Sequence, residues 1–445
     1  MKWGFTMKSL YSFEKSNILK QKSHKLIPGG AHTYSKGDDQ FPVEAPAFVE
    51  RGQGAHVWDV DGNEFIDYGM GLRSVTLGYG YAPVNEAAYA QMLKGNNFTR
   101  PSYLETETAE KLVSLIKGME MCKFGKNGST VTTAAVKLAR AYTGRDMVAR
   151  CAEHSFFSYD DWFIGSTDMN NGVPEAIKNL TVQFNYNNIE SLKTLFDKHP
   201  NQIACVILEP ATHIEPKDNF LQKVKDECRK NGAVFILDEM ITGFRWHLNG
   251  AQAYYGVEPD LCTFGKGIAN GFSVAALLGK REIMNLGSIY GEHERVFLIS
   301  TTHGAENLSL AACMKTLEIY EKGKVVDHVW RQGTSIVSGI NKAAEAAGLT
   351  GFIEVAGLPC SPIILCRDKD KQISMEFRTL FLQETIKRGI LAPYIALSYS
   401  HTDEDIKNTV DAIQDSMKVY KAALENGVEN YLIGRAVKPV FRKYN

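Results

Sequence analysis

Two short apolar runs, each ending in a residue with reactive chemistry, stand out in the pattern of the chain. Residues 234–237 are continuously apolar and lead directly into Asp238, and residues 261–264 lead through one glycine into Lys266. Continuous apolar runs of this length are typical of strands that are buried on both faces of a parallel sheet. The pattern therefore predicts two buried strands that carry a carboxylate and a lysine at their carboxyl ends.

Short apolar runs alternate with amphipathic segments from about residue 120 to 300. Helices separate the predicted strands, which cover residues 121–124, 146–151, 180–184, 203–208, 234–237, 261–264, 274–279 and 295–300. Strands that alternate with helices form mainly parallel sheets, and ligands bind in the loops at the strand ends. We predict an α/β fold whose large domain contains a mostly parallel sheet of about seven strands.

The two ends of the chain have a different pattern and predict a smaller domain. Residues 7–26 carry a weak helical stripe, residues 47–68 read as short strands around an Asp-Gly turn, and residues 330–445 read as helices that flank strands near 353 and 363. The predicted segments are 1–75, which contributes to the small domain and the site entrance, 76–325, the large ligand-binding domain, and 326–445, the C-terminal small α+β domain.

Composition narrows the class of protein. With 445 residues, of which 44% are hydrophobic and 23% charged, the chain can bury more than one core. A net charge of −1 without long runs of like charge gives no reason to expect nucleic acid or a membrane surface as partner. The eight cysteines form no C-x-x-C pair, so we expect reduced thiols in a cytoplasmic protein and no metal site. No segment approaches the ~20 apolar residues needed to span a bilayer, so we expect a soluble protein.

The chemistry predicted for the strand ends is that of pyridoxal 5'-phosphate (PLP). Lys266 lies between two glycines that leave its side chain uncrowded, and Asp238 ends the neighbouring predicted strand. PLP chemistry uses this pairing, because the lysine forms a Schiff base and the carboxylate keeps the pyridine nitrogen protonated. We therefore expect a phosphate cradle and a ring-stacking side chain elsewhere in the large domain.

A glycine-rich turn before a helix is the candidate phosphate cradle. Residues 125–130 read Gly-Lys-Asn-Gly-Ser-Thr and precede a predicted helix that ends at Gly144. Free N–H groups at a helix start, together with the helix dipole, bind anions. The alternative reading of such a turn is an ordinary helix cap without a ligand.

Several longer segments resemble a known family. They are WDVDGNEFIDY at 58–68, KLARAYTGRD at 137–146, LDEMITGFR at 237–245, GAQAYYGVEPDL at 250–261 and FGKGIANGF at 264–272. From about residue 28 to the C-terminal domain, the chain resembles the class III, fold-type I PLP-dependent aminotransferases, most closely the glutamate-1-semialdehyde 2,1-aminomutase branch. The resemblance implies a homodimeric PLP enzyme with shared active sites.

The same resemblance implies roles for individual residues. Lys266 matches the Schiff-base lysine, which also moves a proton between substrate and cofactor, and Asp238 matches the carboxylate on the pyridine nitrogen. Thr302 matches a threonine that reaches the phosphate of the partner subunit. The residues at the phosphate-cradle position are Gly128, Ser129 and Thr130. Glu239 is read as structural support.

Departures from the family pattern bear on the ring contact and on the reaction. Where relatives carry Tyr-His-Gly above the ring, this chain has Glu-His-Ser, so His154 is the expected ring-stacking residue and Phe156 the alternative. The entrance PGGAHTYSKGDD at 28–39 lacks the arginine expected to hold a substrate carboxylate, and APYIALSYSHT at 392–402 lacks a glutamate of the aminomutase. Both losses favour amino transfer between two molecules over aminomutation.

We therefore expect an aminotransferase that moves an amino group from a donor, glutamate first, to an aldehyde or ketone acceptor, with a surface-glycan precursor as the hypothetical acceptor. The alternatives are the aminomutase reaction, another PLP reaction such as decarboxylation or racemisation, and a degenerate homologue with a structural or regulatory role. The candidates for substrate contact are His32, Tyr34, Lys36, Arg73, Arg100, Arg245 and His303. Arginine and histidine residues in such loops are more often solvated or structural than ligand-binding.

Overall fold

A computed structural model describes residues 11–444. Residues 1–10, which include the predicted start of the first helix, and residue 445 lie outside the described part. The chain divides into two units. The small unit comprises the described part of Met1–Met70, with Gly78–Gly80 and Val329–Val440, and the large unit comprises Gly71–Leu77, Tyr81–His328 and the described part of Phe441–Asn445. The predicted domain boundaries, 75/76 and 325/326, differ from the main divisions by a few residues.

The strands of the described residues are numbered in chain order. They are β1 Val49–Gln53, β2 His56–Asp59, β3 Glu64–Asp67, β4 Met121–Gly125, β5 Met147–Cys151, β6 Thr181–Phe184, β7 Ile203–Leu208, β8 Val234–Asp238, β9 Leu261–Phe264, β10 Ala275–Gly279, β11 Ile353–Ala356, β12 Ile363–Cys366 and β13 Ile390–Leu391.

The helices are referred to by their residues. The longer ones are Glu14–Leu26, Ala82–Met92, Tyr103–Leu115, Gly128–Thr143, Ile189–Lys198, Phe220–Asn231, Asn307–Lys322, Val325–Ala347, Met375–Ile386 and Asp403–Asn426. The short helices are Asp161–Ile164, Glu175–Lys178, Gly250–Tyr255 and Arg281–Met284, and Met70–Arg73 is a turn with left-handed backbone angles. None of the helices within residues 11–444 is both long and apolar enough to cross a membrane.

The large unit contains a seven-stranded sheet in the order β4-β10-β9-β8-β7-β5-β6. β10 is antiparallel to both of its neighbours, and the pairs from β9 to β6 are parallel. β4 therefore runs in the same direction as β9, and the carboxyl ends of β4, β5, β7, β8 and β9 lie at one edge of the sheet. The predicted α/β fold with a mostly parallel, seven-stranded sheet is confirmed.

One predicted strand of this domain is wrong. Residues 295–300 are not a strand in the structure. Their apolar character comes from Val296, Leu298 and Ile299, which pack against the core of the large unit from an irregular segment. The N–H of Val296 donates to the carbonyl of Leu286, in the short 3-10 helix Asn285–Gly287, at 2.8 Å. Periodicity alone does not distinguish this packing from a short strand.

The helix Gly128–Thr143 follows β4 and packs its apolar face on the sheet. Val131, Ala135 and Leu138 are fully buried there. The side chain of Asn127 caps the start of the helix by accepting from Thr130 N at 3.0 Å. Gly144 ends the helix in the left-handed conformation that favours glycine, with φ of 66°. This packing fixes the start of the helix at the edge of the sheet where β8 and β9 end.

The cysteines are free thiols, as expected for the predicted class of protein. Seven of the eight are buried and Cys122 is partly buried. Burial raises the pKa of the Cys205 thiol to about 12, so that it stays protonated at neutral pH. These side chains therefore serve as small apolar groups of the core.

The small unit contains the predicted meander. β1, β2 and β3 pair antiparallel around a turn in which the Asp59 carboxylate accepts from the N–H groups of Asp61 and Asn63, at 3.0 and 2.8 Å. Gly62 has a φ of 90°, which the Asp-Gly sequence allows. The two-residue strand β13 extends this sheet by pairing parallel to β3, and the sequence pattern missed it because it is so short.

His56 links the meander to the C-terminal helix of the same unit. Its Nδ1 lies 2.8 Å from Glu64 Oε1 and its Nε2 lies 3.0 Å from Asp405 Oδ1. The hydrogen bond to Asp405 raises the pKa of His56 above its usual value, although partial burial opposes this. For Asp405, burial is outweighed by the hydrogen bonds from His56 and Thr402, which lower the pKa of the carboxyl to about 2.

These pKa shifts predict how stability depends on pH. Because the folded pKa of His56 is raised, its contribution is complete below the unfolded value of about 6.5 and is lost as the pH rises through the folded value. We expect His56→Gln to remove about 1 kcal/mol of unfolding free energy at pH 6, after allowance for solvent screening, and less at pH 8. Chemical denaturation at both pH values measures the difference. The exposed His32→Gln is the control, and equal losses for His56→Gln at both pH values would contradict the assignment.

Candidate active site

Asp238 is the last residue of β8 and one of the most deeply buried carboxylates, with a relative exposure of 2%. Its Oδ1 accepts hydrogen bonds from Met240 N at 3.0 Å and from Thr263 Oγ1 at 2.9 Å. Oδ2 accepts no hydrogen bond from the described residues. Burial raises the pKa of Asp238 to about 6, against the charge of Lys266 and both hydrogen bonds. The geometry therefore leaves one carboxylate oxygen for a ligand.

Lys266 follows β9 at the same edge of the sheet. Its φ of 45° lies in the left-handed region, which costs a non-glycine residue roughly 1 kcal/mol or more. Burial lowers the pKa of Lys266 from its usual value, and the negative charges of Asp238 and Glu209 oppose that shift. A lysine with a lowered pKa has a larger neutral, nucleophilic fraction. Strain and a perturbed pKa on the same residue are typical of a functional site.

Glu209 is a further member of this charge cluster, for which no role was predicted from the sequence. It directly follows β7 and is buried. Burial, followed by the nearby Asp238, raises the pKa of its carboxyl, while Lys266 and Arg73 act in the opposite direction. The signal that identifies it is the one used for Asp238, since each carboxylate lies at the carboxyl end of a continuously buried strand, and β7 pairs with β8.

Glu239 has a structural role, in agreement with the sequence reading. Its two carboxylate oxygens accept from the N–H groups of Ala251 and Gln252, at 2.7 and 2.8 Å, and from Thr242 Oγ1 at 2.8 Å. Both N–H groups lie in the first turn of the short helix Gly250–Tyr255, so the Glu239 side chain caps that helix. The neighbouring residues Asp238 and Glu239 thus have carboxylates in different surroundings. Of the two, only Asp238 keeps an oxygen without a hydrogen bond from the described residues.

The candidate phosphate cradle is the start of the helix Gly128–Thr143. The first N–H groups of a helix have no acceptor within the helix, so those of Gly128 and Ser129 can donate to an anion. Ser129 Oγ already accepts from Tyr159 N at 3.1 Å and retains its own proton to donate. Thr130 Oγ1 donates to Asn127 Oδ1 at 3.1 Å. A Cβ at Gly128 would lie 3.0 Å from Met240 Sδ, so a larger residue would crowd the cradle.

The structure places His154 beside Glu209, but deep in the protein. Its relative exposure is 1%, and Nδ1 accepts from Glu209 N at 3.0 Å, which leaves the proton on Nε2. The ring packs against Tyr186 and Phe157, with centroids 5.0 and 6.2 Å away, and burial lowers the pKa of His154 to about 4. Phe156 is 52% exposed. Ring stacking by His154, or by Phe156, stays a prediction.

Two of the candidates for substrate contact lie near Lys266. Arg73 and Arg245 both carry positive charge close enough to lower the pKa of Lys266. Arg100 and His303 are exposed in the large unit, and the exposed His32, Tyr34 and Lys36 belong to the small unit. Thr302 is exposed, and its carbonyl accepts from Asn97 Nδ2 at 3.1 Å. Its predicted contact with a partner subunit stays a prediction.

Comparison with known proteins identifies the family that has this arrangement. Residues 35–417 match the family model described as aminotransferase class-III. The chain belongs to this family. The 3-aminobutyryl-CoA aminotransferase of Cloacimonas acidaminovorans is 32% identical over 92% of this chain and 98% of its own length. The glutamate-1-semialdehyde 2,1-aminomutase of Alkaliphilus oremlandii is 33% identical over 91% of this chain and 98% of its own length.

Solved structures agree with the fold of this class III aminotransferase. The FumI protein of a Sphingopyxis species, whose structure contains PLP, has a TM-score of 0.85 and 26% identity, covering 93% of this chain and 98% of that chain. An omega-transaminase from Sphaerobacter thermophilus has a TM-score of 0.83 at 24% identity, covering 91% of this chain and 98% of that chain, and shares the fold. The cofactor of the family is PLP.

The donor set of the site fits this cofactor. A pyridinium nitrogen needs a carboxylate oxygen, a phosphate needs N–H and O–H donors at a helix start, and an aldehyde needs an amine of lowered pKa. All three groups are present at a single edge of the sheet. Asp238 Oδ2 offers the carboxylate oxygen, the helix start at Gly128 and Ser129 offers the N–H and O–H donors, and Lys266 Nζ offers the amine. All of them belong to the large unit.

The raised pKa of Asp238 predicts how cofactor affinity depends on pH. Its carboxylate pairs with a protonated pyridine nitrogen only when ionised, so protonation below about pH 6 removes the interaction. We expect the affinity of the wild-type apoprotein for PLP to fall roughly tenfold per pH unit there. In Asp238→Asn the affinity should be lower at neutral pH and the dependence flatter.

Titration of the apoprotein with PLP, followed by tryptophan fluorescence between pH 5 and 8, measures this dependence. Asp226→Asn on the exposed face of the helix Phe220–Asn231 is the control for removing one carboxylate from the large unit. A slope in Asp238→Asn equal to that of the wild type would show that another group titrates.

Proposed function

We propose that this chain transfers an amino group from an amino donor, with glutamate as the first candidate, to an aldehyde or ketone acceptor. The observation that carries the proposal is the pairing of Lys266, strained and with a lowered pKa, with the buried Asp238 on the neighbouring strand. A catalytically degenerate homologue would have no need to retain a strained lysine beside a buried carboxylate, because both features cost stability.

The roles of the residues follow from their surroundings. Bound PLP supplies an electron sink that stabilises negative charge on the substrate carbon. Lys266 Nζ would hold the cofactor and, once the substrate has taken its place, would move the proton from the substrate carbon to the cofactor carbon, for which its lowered pKa suits it. Asp238 Oδ2 would keep the pyridine nitrogen protonated, and Gly128, Ser129 and Thr130 would hold the phosphate.

Transfer between two molecules is favoured over aminomutation by the two loops that differ from the aminomutase pattern. Overall sequence identity does not separate amino transfer from aminomutation, since the aminotransferase named above is 32% identical to this chain and the aminomutase is 33% identical. The absence of an arginine from residues 28–39 and of a glutamate from residues 392–402 supports the transferase. A precursor of a surface glycan remains the hypothetical acceptor, and the aminomutase reaction is the second candidate.

Glutamate alone should convert the bound cofactor if the proposal is correct. We expect the visible absorbance of the lysine-bound cofactor to be replaced by the near-ultraviolet band of the aminated cofactor, with one equivalent of 2-oxoglutarate released per site. Lys266→Ala should not complete this half-reaction, because it lacks the proton carrier. An aminomutase would release no 2-oxoglutarate. Failure with glutamate, followed by failure with a panel of other amino acids and amines, would contradict the transferase.

We propose also that the protein is a homodimer in which Thr302 of one subunit reaches the phosphate bound in the other. The support is the exposure of Thr302 within residues 301–303, all of which are exposed, and the match of Thr302 to a threonine with this role in the family. A short exposed segment of this kind can donate to a ligand of a second chain without rearrangement of the core.

Mixed dimers test the sharing of sites. A dimer of one Lys266→Ala chain and one Thr302→Ala chain would have one site with both residues intact and one with neither. We expect Thr302→Ala homodimers to bind PLP more weakly than the wild type and the mixed dimer to regain wild-type affinity at one site. Thr301→Ala is the control. If the mixed dimer binds PLP no better than the Thr302→Ala homodimer, Thr302 does not act across subunits.

A further inference from the structure

The backbone at Lys266 is strained at both ends of a short helix. The 3-10 helix Lys266–Ala269 follows β9, and Lys266 and Asn270, which directly follows the helix, both have a φ of 45°. This left-handed conformation is unfavourable for residues other than glycine. Within the segment, Ile268 N donates to the carbonyl of Gly265 at 3.2 Å and closes the turn over Lys266. Contacts with other segments must supply the rest of the restraint.

Tyr320 makes such a contact with the residue directly after the lysine. It lies in the last turn of the helix Asn307–Lys322, and its buried hydroxyl donates to the carbonyl of Gly267 at 2.7 Å. Its ring stacks on Phe244, with centroids 5.6 Å apart and an interplanar angle of 7°. Phe244 is itself left-handed, with a φ of 59°. Tyr320 thus packs on one strained residue and holds the neighbour of another.

The space around Gly267 leaves little freedom for this part of the chain. A Cβ on Gly267 would lie 2.6 Å from Thr76 Oγ1 and 3.3 Å from the Tyr320 hydroxyl oxygen, so glycine is required here. Thr76 is buried, and its Oγ1 accepts from Arg245 Nη2 at 3.3 Å. Burial raises the pKa of Tyr320 to about 12, so its hydroxyl keeps the proton that it donates. The hydrogen bond to Gly267 is therefore made in confined, buried surroundings.

We propose that Tyr320 is a positioning residue, which holds Lys266 in the backbone conformation from which its amine attaches PLP. The inference rests on the proposed role of Lys266. Tyr320 acts through the carbonyl of Gly267, and the backbone conformation of Lys266 sets the direction in which its side chain leaves the chain. Loss of the hydroxyl should therefore misdirect the amine and leave the groups that hold the cofactor ring and phosphate in place.

Two forms of the cofactor separate this role from general support of the site. The aldehyde of PLP condenses with the amine of Lys266 and releases water, whereas pyridoxamine 5'-phosphate has no aldehyde and binds only through its ring and phosphate. Tyr320→Phe keeps the stacked ring and loses the hydroxyl. We expect its apparent Kd for PLP to rise roughly fivefold, as for the loss of one neutral hydrogen bond, and its Kd for pyridoxamine 5'-phosphate to stay unchanged.

Tryptophan fluorescence of the apoprotein, titrated with each form, measures both constants. The matched control is Tyr89→Phe, which removes an exposed hydroxyl from the helix Ala82–Met92 of the same unit and should leave both constants unchanged. In a Lys266→Ala background, Tyr320→Phe should no longer affect the Kd for PLP, because the lysine that it positions is missing.

A second variant reaches the same contact from the other side. Gly267→Ala would push the chain away from Thr76 and Tyr320, so it should weaken the binding of PLP and spare that of pyridoxamine 5'-phosphate. The losses in Gly267→Ala and Tyr320→Phe should not add in the double variant, because both remove one contact. Gly267→Ala also provides the measurement if Tyr320→Phe does not fold.

Several results would overturn the proposal. They are an unchanged Kd for PLP in Tyr320→Phe, an equal rise for both forms of the cofactor, an equal effect of Tyr320→Phe with and without Lys266, and failure of both variants to fold, which would make the contact a structural one. If Lys266→Ala bound PLP as tightly as the wild type, the proposed role of Lys266 itself would fail. That result is distinct from a normal loss in Lys266→Ala with no loss in Tyr320→Phe, which would count against Tyr320 alone.

Discussion

The burial of one carboxylate constrains the rest of the large unit. A carboxylate removed from water costs several kcal/mol unless it is hydrogen-bonded and paired. Asp238 receives its two donors from Met240, two residues ahead, and from Thr263, its register partner on β9. The register that supplies Thr263 also places Lys266 three residues further along the same strand and loop. The pairing of β8 with β9 therefore also determines the hydrogen bonding of the carboxylate and the position of the lysine.

Placing the carboxylate and the lysine at these strand ends lowers local stability. The left-handed backbone of Lys266 and the raised pKa of Asp238 are both unfavourable in the folded protein. The surrounding strands compensate, since β7, β8 and β9 are buried along their whole length. A rigid sheet can hold groups that would relax in a loop, and reactive groups at the end of such strands keep their geometry without a ligand.

The sequence predicted most of the scaffold, because buried parallel strands have continuous apolar runs that are hard to mistake. It failed at residues 295–300, where an apolar run packs on the core without backbone pairing, and at β13, which has two residues and no pattern. In the site, Lys266 and Asp238 were predicted from strand ends. Glu209 was not, because assigning it a role requires knowing that β7 lies beside β8, and the order of strands is a property of long-range pairing. The left-handed turn at Arg73 depends likewise on contacts distant in sequence.

Met240 connects parts of the site that are distant in sequence. Its Sδ lies 3.0 Å from the Cβ position of Gly128, at the helix start, and 2.6 Å from that of Gly265, just before the lysine. Its N–H also holds Asp238. One flexible thioether thus fills the space that side chains at both glycines would need. The two glycines are consequently constrained by one side chain: a larger residue at either one would displace the same methionine, and a smaller residue at 240 would relax the restriction on both at once.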